Sequence, residues 1–127
     1  DEVTEDLLID VFQSVSDAVY LLDSYQRKIL HISAVIACNF TNHFYSIAHD
    51  ILKDEDLDFE LLKPLIGETV KKALASIDPA KVQTGPARRD DWHTTSQHMA
   101  YLQSINPDWA NLYRLVSENI REKHFTD

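Results

Sequence analysis

One stretch, residues 23–53, decides the fold: DSYQRKILHISAVIACNFTNHFYSIAHDILK. It contains no glycine, and it opens with Asp23 and Ser24, which are typical N-cap residues. A helix of this length would span about 45 Å, more than a typical globular helix. We therefore predict one long helix from Asp23 or Ser24 to about Lys53.

The middle of this stretch is largely apolar, but it does not fit a membrane span. Residues 29–49 contain no Asp, Glu, Lys or Arg, yet they include His31, Asn39 and His43 among several polar side chains, too many for lipid. We expect a central helix buried by protein. From Ile29 to Ala37 it is apolar nearly all round, more surface than short neighbouring helices can cover, which predicts a homodimer built on this helix.

The composition limits the partners of the protein. A chain of 127 residues fits one domain and can bury about two-thirds of its unfolded surface without a disulfide or a metal. The net charge of -9 repels nucleic acid and anionic membranes, so neither is expected as a partner. The one cysteine, Cys38, excludes an intrachain disulfide, and no signal peptide opens the chain, so we expect a cytoplasmic protein.

Four further helices are indicated by apolar residues at helical spacing and by capping residues. They are expected at about Thr4 to Val15, from near Asp58, after Asp90 or Asp91, and from Asn106. Pro64 should kink or break the second of these, and Pro107 takes the first helical position of the last. With two glycines and four prolines in the chain, the sequence favours a mostly α fold, a helical bundle.

One segment does not fit an all-helical domain. Ala18 to Leu22 is a wholly apolar run after Ser14 to Asp17, which indicates one short buried strand near the N-terminus. A strand cannot satisfy its own backbone groups, and no partner strand is visible in the sequence. The strand therefore either pairs with another copy of this chain or belongs to a sheet outside it.

Two motifs resemble a known family. The first runs from His31 to Phe40 on the long helix, and the second, TGPARRDDWHTTSQHM, runs from Thr84 to Met99. Together they resemble the domain-of-unknown-function 2520 family, from about residue 23 to the end of the chain. The chain departs from the family at Asp90, where a small residue, often Gly, is usual, and at Cys38, where Ser is usual.

The resemblance implies a fold and a class of protein. Full-length members resemble a Rossmann domain followed by a helical domain of the type found in pyrroline-5-carboxylate reductase, prephenate dehydrogenase and 6-phosphogluconate dehydrogenase. Residues 1–22 would then be the terminal helix and strand of the Rossmann domain, left over from its sheet. Residues 23–127 would be the helical dimerisation and substrate domain.

The resemblance also implies NADP or NAD as the cofactor of the full-length protein. Glycine occurs only at positions 67 and 85, so no G-x-G-x-x-G nucleotide fingerprint can form in this chain. No cofactor is therefore expected on this chain alone, and by itself the chain should be inactive.

His31 and Asn39 are the candidate catalytic residues. They lie eight residues apart, which places them about 80° from each other on an α-helix. In the related reductases this helix faces the cleft between the domains, so the resemblance implies that His31 serves as a general acid or base and that Asn39 orients it. The alternative is that His31 and Asn39 make hydrogen bonds to each other or to a neighbouring helix inside a dimer interface.

The second motif supplies the candidate substrate-binding residues, which are Thr84, Gly85, Pro86, Arg89, Asp91, Thr94 and His98. An Arg just before a helix N-terminus, such as Arg89, can form an anion pocket for a carboxylate or phosphate. The alternative for Arg89 is an ion pair with Asp90 or Asp91. His98 lies two turns after Asp91 on one face, and a structural hydrogen bond between them is favoured.

No metal site or nucleophile is indicated. His93 and His98 would point about 140° apart on a helix, and Cys38 lies in an apolar run where a thiol behaves as a small hydrophobe. The leading hypothesis is a dimerisation and substrate-cleft domain of an NAD(P)-dependent oxidoreductase acting on a small anionic metabolite. The alternative is a non-enzymatic dimerisation or interaction module.

Overall fold

The computed structural model describes residues 21–126, and the elements of this range are helical. They are α1 (Ser24–Ala34), a π-helical segment (Val35–Phe40), α2 (Thr41–Asp54), a 3-10 turn (Phe59–Leu61), α3 (Lys63–Ala75), a second 3-10 turn (Pro79–Val82), α4 (Trp92–Ile105) and α5 (Pro107–Phe125). This confirms the predicted mostly α fold. The helix predicted from Thr4 to Val15, and residues 18–20 of the predicted strand, lie outside the described range.

The predicted long helix is confirmed, since α1, the π-helical segment and α2 follow one another directly from Ser24 to Asp54. It begins with a capping box. The Gln26 amide donates to the Asp23 carboxylate at 2.8 Å, and the Asp23 amide donates to the Gln26 side-chain oxygen at 3.0 Å. The change to π-helical hydrogen bonding over Val35–Phe40 was not expected from the sequence.

The predicted break near Pro64 is also confirmed. Asp58 caps the 3-10 turn, because its carboxylate accepts from the Glu60 amide at 2.9 Å. Helix α3 then starts afresh at Lys63, with Pro64 in its first turn, where a missing amide hydrogen costs little.

The last two helices begin where the capping residues predict. Asp91 caps α4 and Asn106 caps α5, with Pro107 in the first turn of α5. The Asn106 side-chain oxygen accepts from the amides of Asp108 at 3.0 Å and Trp109 at 3.4 Å. The two helices pack against each other and hold most of the buried side chains of the described range, which are Ala87, Thr95, Leu102 and Ala110.

The chain divides into two compact units, one ending at Ile51 and the other beginning at Leu52. Within residues 21–126, the buried side chains all lie in the second unit. None of the residues of α1, the π-helical segment or α2 is buried in the single chain. The prediction of a buried central helix is therefore wrong for the single chain. A helix that is apolar all round needs neighbours on every side, and the described part of one chain does not supply them. None of the helices in residues 21–126 is long and apolar enough to cross a membrane.

Candidate functional site

The second motif folds into a tight turn that leads into α4. Gly85 has a φ of 102°, a left-handed conformation in which a side chain would be strained. The chain then coils back on itself, because the Arg89 amide donates to the Gly85 carbonyl at 3.3 Å and the Asp91 amide donates to the Pro86 carbonyl at 2.9 Å. This coil fixes Arg89 and Asp91 at the entrance of α4.

Asp90 also adopts a left-handed conformation, with a φ of 55°. Asp tolerates this region better than most residues, and glycine tolerates it best. The left-handed conformation at position 90 therefore explains why a small residue, often Gly, is usual there in the family that the motifs resemble. The Asp90 carboxylate also accepts from the Arg121 guanidinium of α5, with Nε and Oδ1 2.9 Å apart.

Asp91 and Thr94 are brought together as an N-cap pair. One carboxylate oxygen of Asp91 accepts from the Thr94 amide at 3.1 Å, and the other accepts from the Thr94 hydroxyl at 2.7 Å. These two hydrogen bonds lower the pKa of the Asp91 carboxyl, and the Arg89 guanidinium lowers it further by a smaller amount. Asp91 is therefore an anion that holds the first turn of α4.

Arg89 is only loosely held. Its Nη2 atom lies 3.9 Å from Oδ2 of Asp91, and 63% of its side chain is exposed. The ion pair considered as an alternative for Arg89 is thus present with Asp91, at the outer limit of such contacts, while Asp90 pairs with Arg121. An exposed pair of this geometry stabilises a fold by at most about 1 kcal/mol, so Arg89 can turn towards another anion at small cost.

The prediction of a hydrogen bond between His98 and Asp91 is wrong. Seven residues along a helix correspond to a rise of about 10 Å, which is too far for these two side chains to meet. The partner of His98 is Tyr113 of α5, since Nδ1 lies 2.8 Å from the Tyr113 hydroxyl and the two rings meet edge to face at 5.7 Å. Tyr113 lies on the helix that the sequence predicts from Asn106, but nothing in the sequence marks it as the partner of His98.

The His98–Tyr113 contact has a consequence for the proton on the imidazole. Partial burial raises the pKa of the Tyr113 hydroxyl, so this hydroxyl keeps its proton. When it donates that proton to Nδ1 of a neutral His98, the ring hydrogen sits on Nε2. His98 is an exposed residue, so in this tautomer its Nε2–H group could be reached by a bound molecule.

His31 and Asn39 lie exposed on the long helix, in the first compact unit. Within the described range, the two side chains are not hydrogen-bonded to each other or to another residue. The alternative of hydrogen bonds inside a dimer interface stays a prediction. Asn39 falls inside the π-helical segment, where each residue adds less rotation than in an α-helix. The angle between the two residues is therefore smaller than the 80° expected from regular α-helical spacing.

The second compact unit also carries a cavity beside the motif. It has a volume of about 310 Å³ and lies between α3 on one side and the second 3-10 turn with the two residues that follow it on the other. Thr84 lines it, together with Thr69, Lys72 and Gln83. Thr84 is the one predicted site residue on its wall. Among residues 21–126, no group of three or more His, Cys, Asp or Glu side chains is arranged to hold a metal ion.

The comparisons with known proteins agree with these motifs. The chain belongs to the family described as Domain of unknown function (DUF2520), whose model matches residues 1–120. It is similar to the crystal structure of a proposed NADP oxidoreductase from Bacteroides fragilis, with 44% sequence identity and a TM-score of 0.75. The match covers 80% of this chain and 38% of that protein, so the chain spans well under half of its relative. No curated protein matches the chain.

Proposed function

We propose that this chain is the helical dimerisation and substrate-cleft domain of an NADP- or NAD-dependent oxidoreductase that acts on a small anionic metabolite in the cytoplasm. The observation that carries the proposal is the similarity to the Bacteroides fragilis protein, at 44% identity, in a chain whose second motif forms an ordered turn at the entrance of α4. The loosely paired guanidinium of Arg89 favours an anionic group on the metabolite.

The residues of this chain do not fit a nicotinamide nucleotide. Gly67 lies inside α3 and Gly85 lies in an isolated turn, and neither belongs to a glycine-rich loop that leads from a strand to a helix. The cofactor, which supplies or accepts the hydride, would be held by another part of the full-length protein. This chain would bind and orient the metabolite.

The roles proposed for its residues follow from their positions. Arg89 would pair with the carboxylate or phosphate of the metabolite, and Asp91 with Thr94 would fix the turn that presents Arg89. Thr84, Gly85 and Pro86 would shape the entrance to this turn. His98 would offer its Nε2–H group as a donor.

His31 and Asn39 are assigned to proton transfer at the reacting carbonyl or amine, His31 as general acid or base and Asn39 as its orienting partner. Both side chains are exposed and keep their hydrogen-bonding capacity for a bound molecule.

A nucleotide titration tests the proposal. Calorimetry with NADPH and with NADH should show micromolar binding to the full-length protein and none to this chain alone. The Asp23–Gln26 capping box makes a suitable control site, because Gln26→Ala in the full-length protein should leave nucleotide binding unchanged. Micromolar binding by the isolated chain would contradict the division of roles proposed above.

If the full-length protein binds neither nucleotide, the oxidoreductase proposal fails. The chain would then be an interaction module, a function favoured by the exposed apolar side chains of the long helix.

The same exposed side chains support a homodimer through the long helix. Sedimentation velocity at micromolar concentration should show a dimer of this chain. A monomer at that concentration would rule the dimer out without bearing on nucleotide binding by the full-length protein.

A further inference from the structure

The π-helical segment changes which residues of the long helix share a face. An α-helix turns by about 100° per residue, and its amides bond to the carbonyl four residues back. In a π-helical turn the bond reaches five residues back, which fits one extra residue into the turn. Residues beyond the segment are therefore turned back by about 100° relative to a continuous α-helix. Phe44 takes the angular position that His43 would otherwise hold.

This shift aligns six large apolar side chains along one side of the helix, here called the apolar stripe. Its members are Tyr25, Ile29, Ile32, Ile36, Phe40 and Phe44, each between 43% and 72% exposed. In an uninterrupted α-helix the stripe would drift after Ile36, and Phe44 would lie about 100° away from Tyr25. The Thr41 hydroxyl follows the altered hydrogen bonding, since it lies 3.5 Å from the Ile36 carbonyl, five residues back.

We propose that the apolar stripe is the surface on which a second copy of this chain docks, and that the π-helical segment keeps its two halves in line. The inference rests on the proposed homodimer and adds its register. Both copies carry the same stripe, so the contact is self-complementary, as a twofold axis requires.

The exposed area is of the right size. Large aromatic and aliphatic side chains each present on the order of 200 Å² when free, so six of them at these exposures offer about 600 Å² per copy. A standard stable interface buries about 800 Å² per partner, and the flanking side chains would supply the remainder.

The charge pattern also favours a second copy. The chain has a net charge of -9, which makes two copies repel each other over most of their surfaces. Residues 29–49 contain no Asp, Glu, Lys or Arg, so this part of the helix is a neutral seam where two acidic chains can meet.

Adjacent substitutions test the register. Phe44→Glu and His43→Glu add the same charge to neighbouring residues, but only Phe44 lies on the stripe when the π-helical segment is present. Ile32→Glu tests the half of the stripe before the segment. In sedimentation experiments, Phe44→Glu and Ile32→Glu should weaken the dimer by about 100-fold or more, because each copy would bury an unpaired carboxylate. His43→Glu should leave the dimer within about threefold of the unchanged chain.

Each outcome has a defined meaning. If His43→Glu dissociates the dimer and Phe44→Glu does not, the helix continues without a register shift and the inference is wrong, while the dimer stands. If the unchanged chain is a monomer, or if Ile32→Glu and Phe44→Glu both remain dimeric, the stripe is not the interface. Circular dichroism checks that each variant folds. Should Phe44→Glu lose its helical signal, Phe44→Ala and His43→Ala replace the pair, with about tenfold weakening expected for Phe44→Ala alone.

Discussion

Replacing Arg89 by Lys in the full-length protein separates a binding role from a structural one. The substitution keeps the positive charge but removes the planar, two-pronged donor that matches a carboxylate or phosphate. The structure allows the effect on stability to be bounded. The guanidinium lies 3.9 Å from the Asp91 carboxylate, and the two side chains are 63% and 35% exposed. Such a pair stabilises by at most about 1 kcal/mol, and Lys retains part of that, so the free energy of unfolding should change by less than about 0.5 kcal/mol.

The effect on anion binding should be larger. A hydrogen bond to a charged group stabilises by about 1.5–3 kcal/mol, so affinity should fall about 10- to 150-fold. Inorganic phosphate and oxalate are suitable probes. Their binding can be followed by the NMR shifts of the amides at the start of α4, and stability by urea unfolding. Arg114→Lys is the control, because Arg114 also forms an exposed ion pair, with Glu118 at 3.0 Å, but lies outside the motif.

Arg114→Lys should leave phosphate and oxalate binding unchanged, and its effect on stability shows what an exposed arginine pair outside the motif contributes. A drop in stability for Arg89→Lys without any loss of phosphate or oxalate affinity would show that Arg89 is a structural residue. The assignment of the substrate-binding residues would then be refuted.

Three further predictions concern the second compact unit. Leu102→Ala should reduce the free energy of unfolding by about 2–4 kcal/mol, because Leu102 is only 8% exposed. The control, Leu74→Ala, should change the free energy of unfolding by less than about 0.5 kcal/mol, because Leu74 is 82% exposed; both are measured by urea unfolding. Asp90→Gly should be nearly neutral, since it relieves a left-handed backbone but loses an exposed ion pair, while Asp90→Ala should destabilise by about 1 kcal/mol in the same assay. The lowered pKa of Asp91 means that its contribution to stability is complete above about pH 4 and is lost as the pH falls through the folded-state pKa. Melting temperatures measured between about pH 6 and 2 should therefore fall less steeply for Asp91→Asn than for the unchanged chain; an equal slope would show that Asp91 does not contribute.

Much of the fold could be predicted because helix limits depend on local chemistry. Asp23, Asp91 and Asn106 each cap a helix by accepting hydrogen bonds from amides within three residues. Such contacts can be predicted from a short stretch of sequence. Pro64 likewise marks the change from the 3-10 turn at Phe59–Leu61 to helix α3. The second motif could also be placed at the entrance of α4, since its turn and cap are both local.

The tertiary structure decided which groups meet across longer distances. His98 bonds Tyr113, fifteen residues away, because α4 and α5 pack together and bring the two side chains into contact. Helical spacing alone favoured Asp91. Arg121 of α5 similarly pairs with Asp90, a contact across 31 residues that the sequence does not indicate.

The sequence by itself determined the long helix, its N-cap at Asp23 and the run without charged residues from 29 to 49, because each of these can be read from the residue types alone. The structure decided the π-helical register between Val35 and Phe40 and the exposure of the apolar stripe. No residue type specifies a π-helical turn, since the choice between bonding four or five residues back is a small energy difference. A difference of this size cannot be read from the residue types of one turn, so the register is known only from the structure.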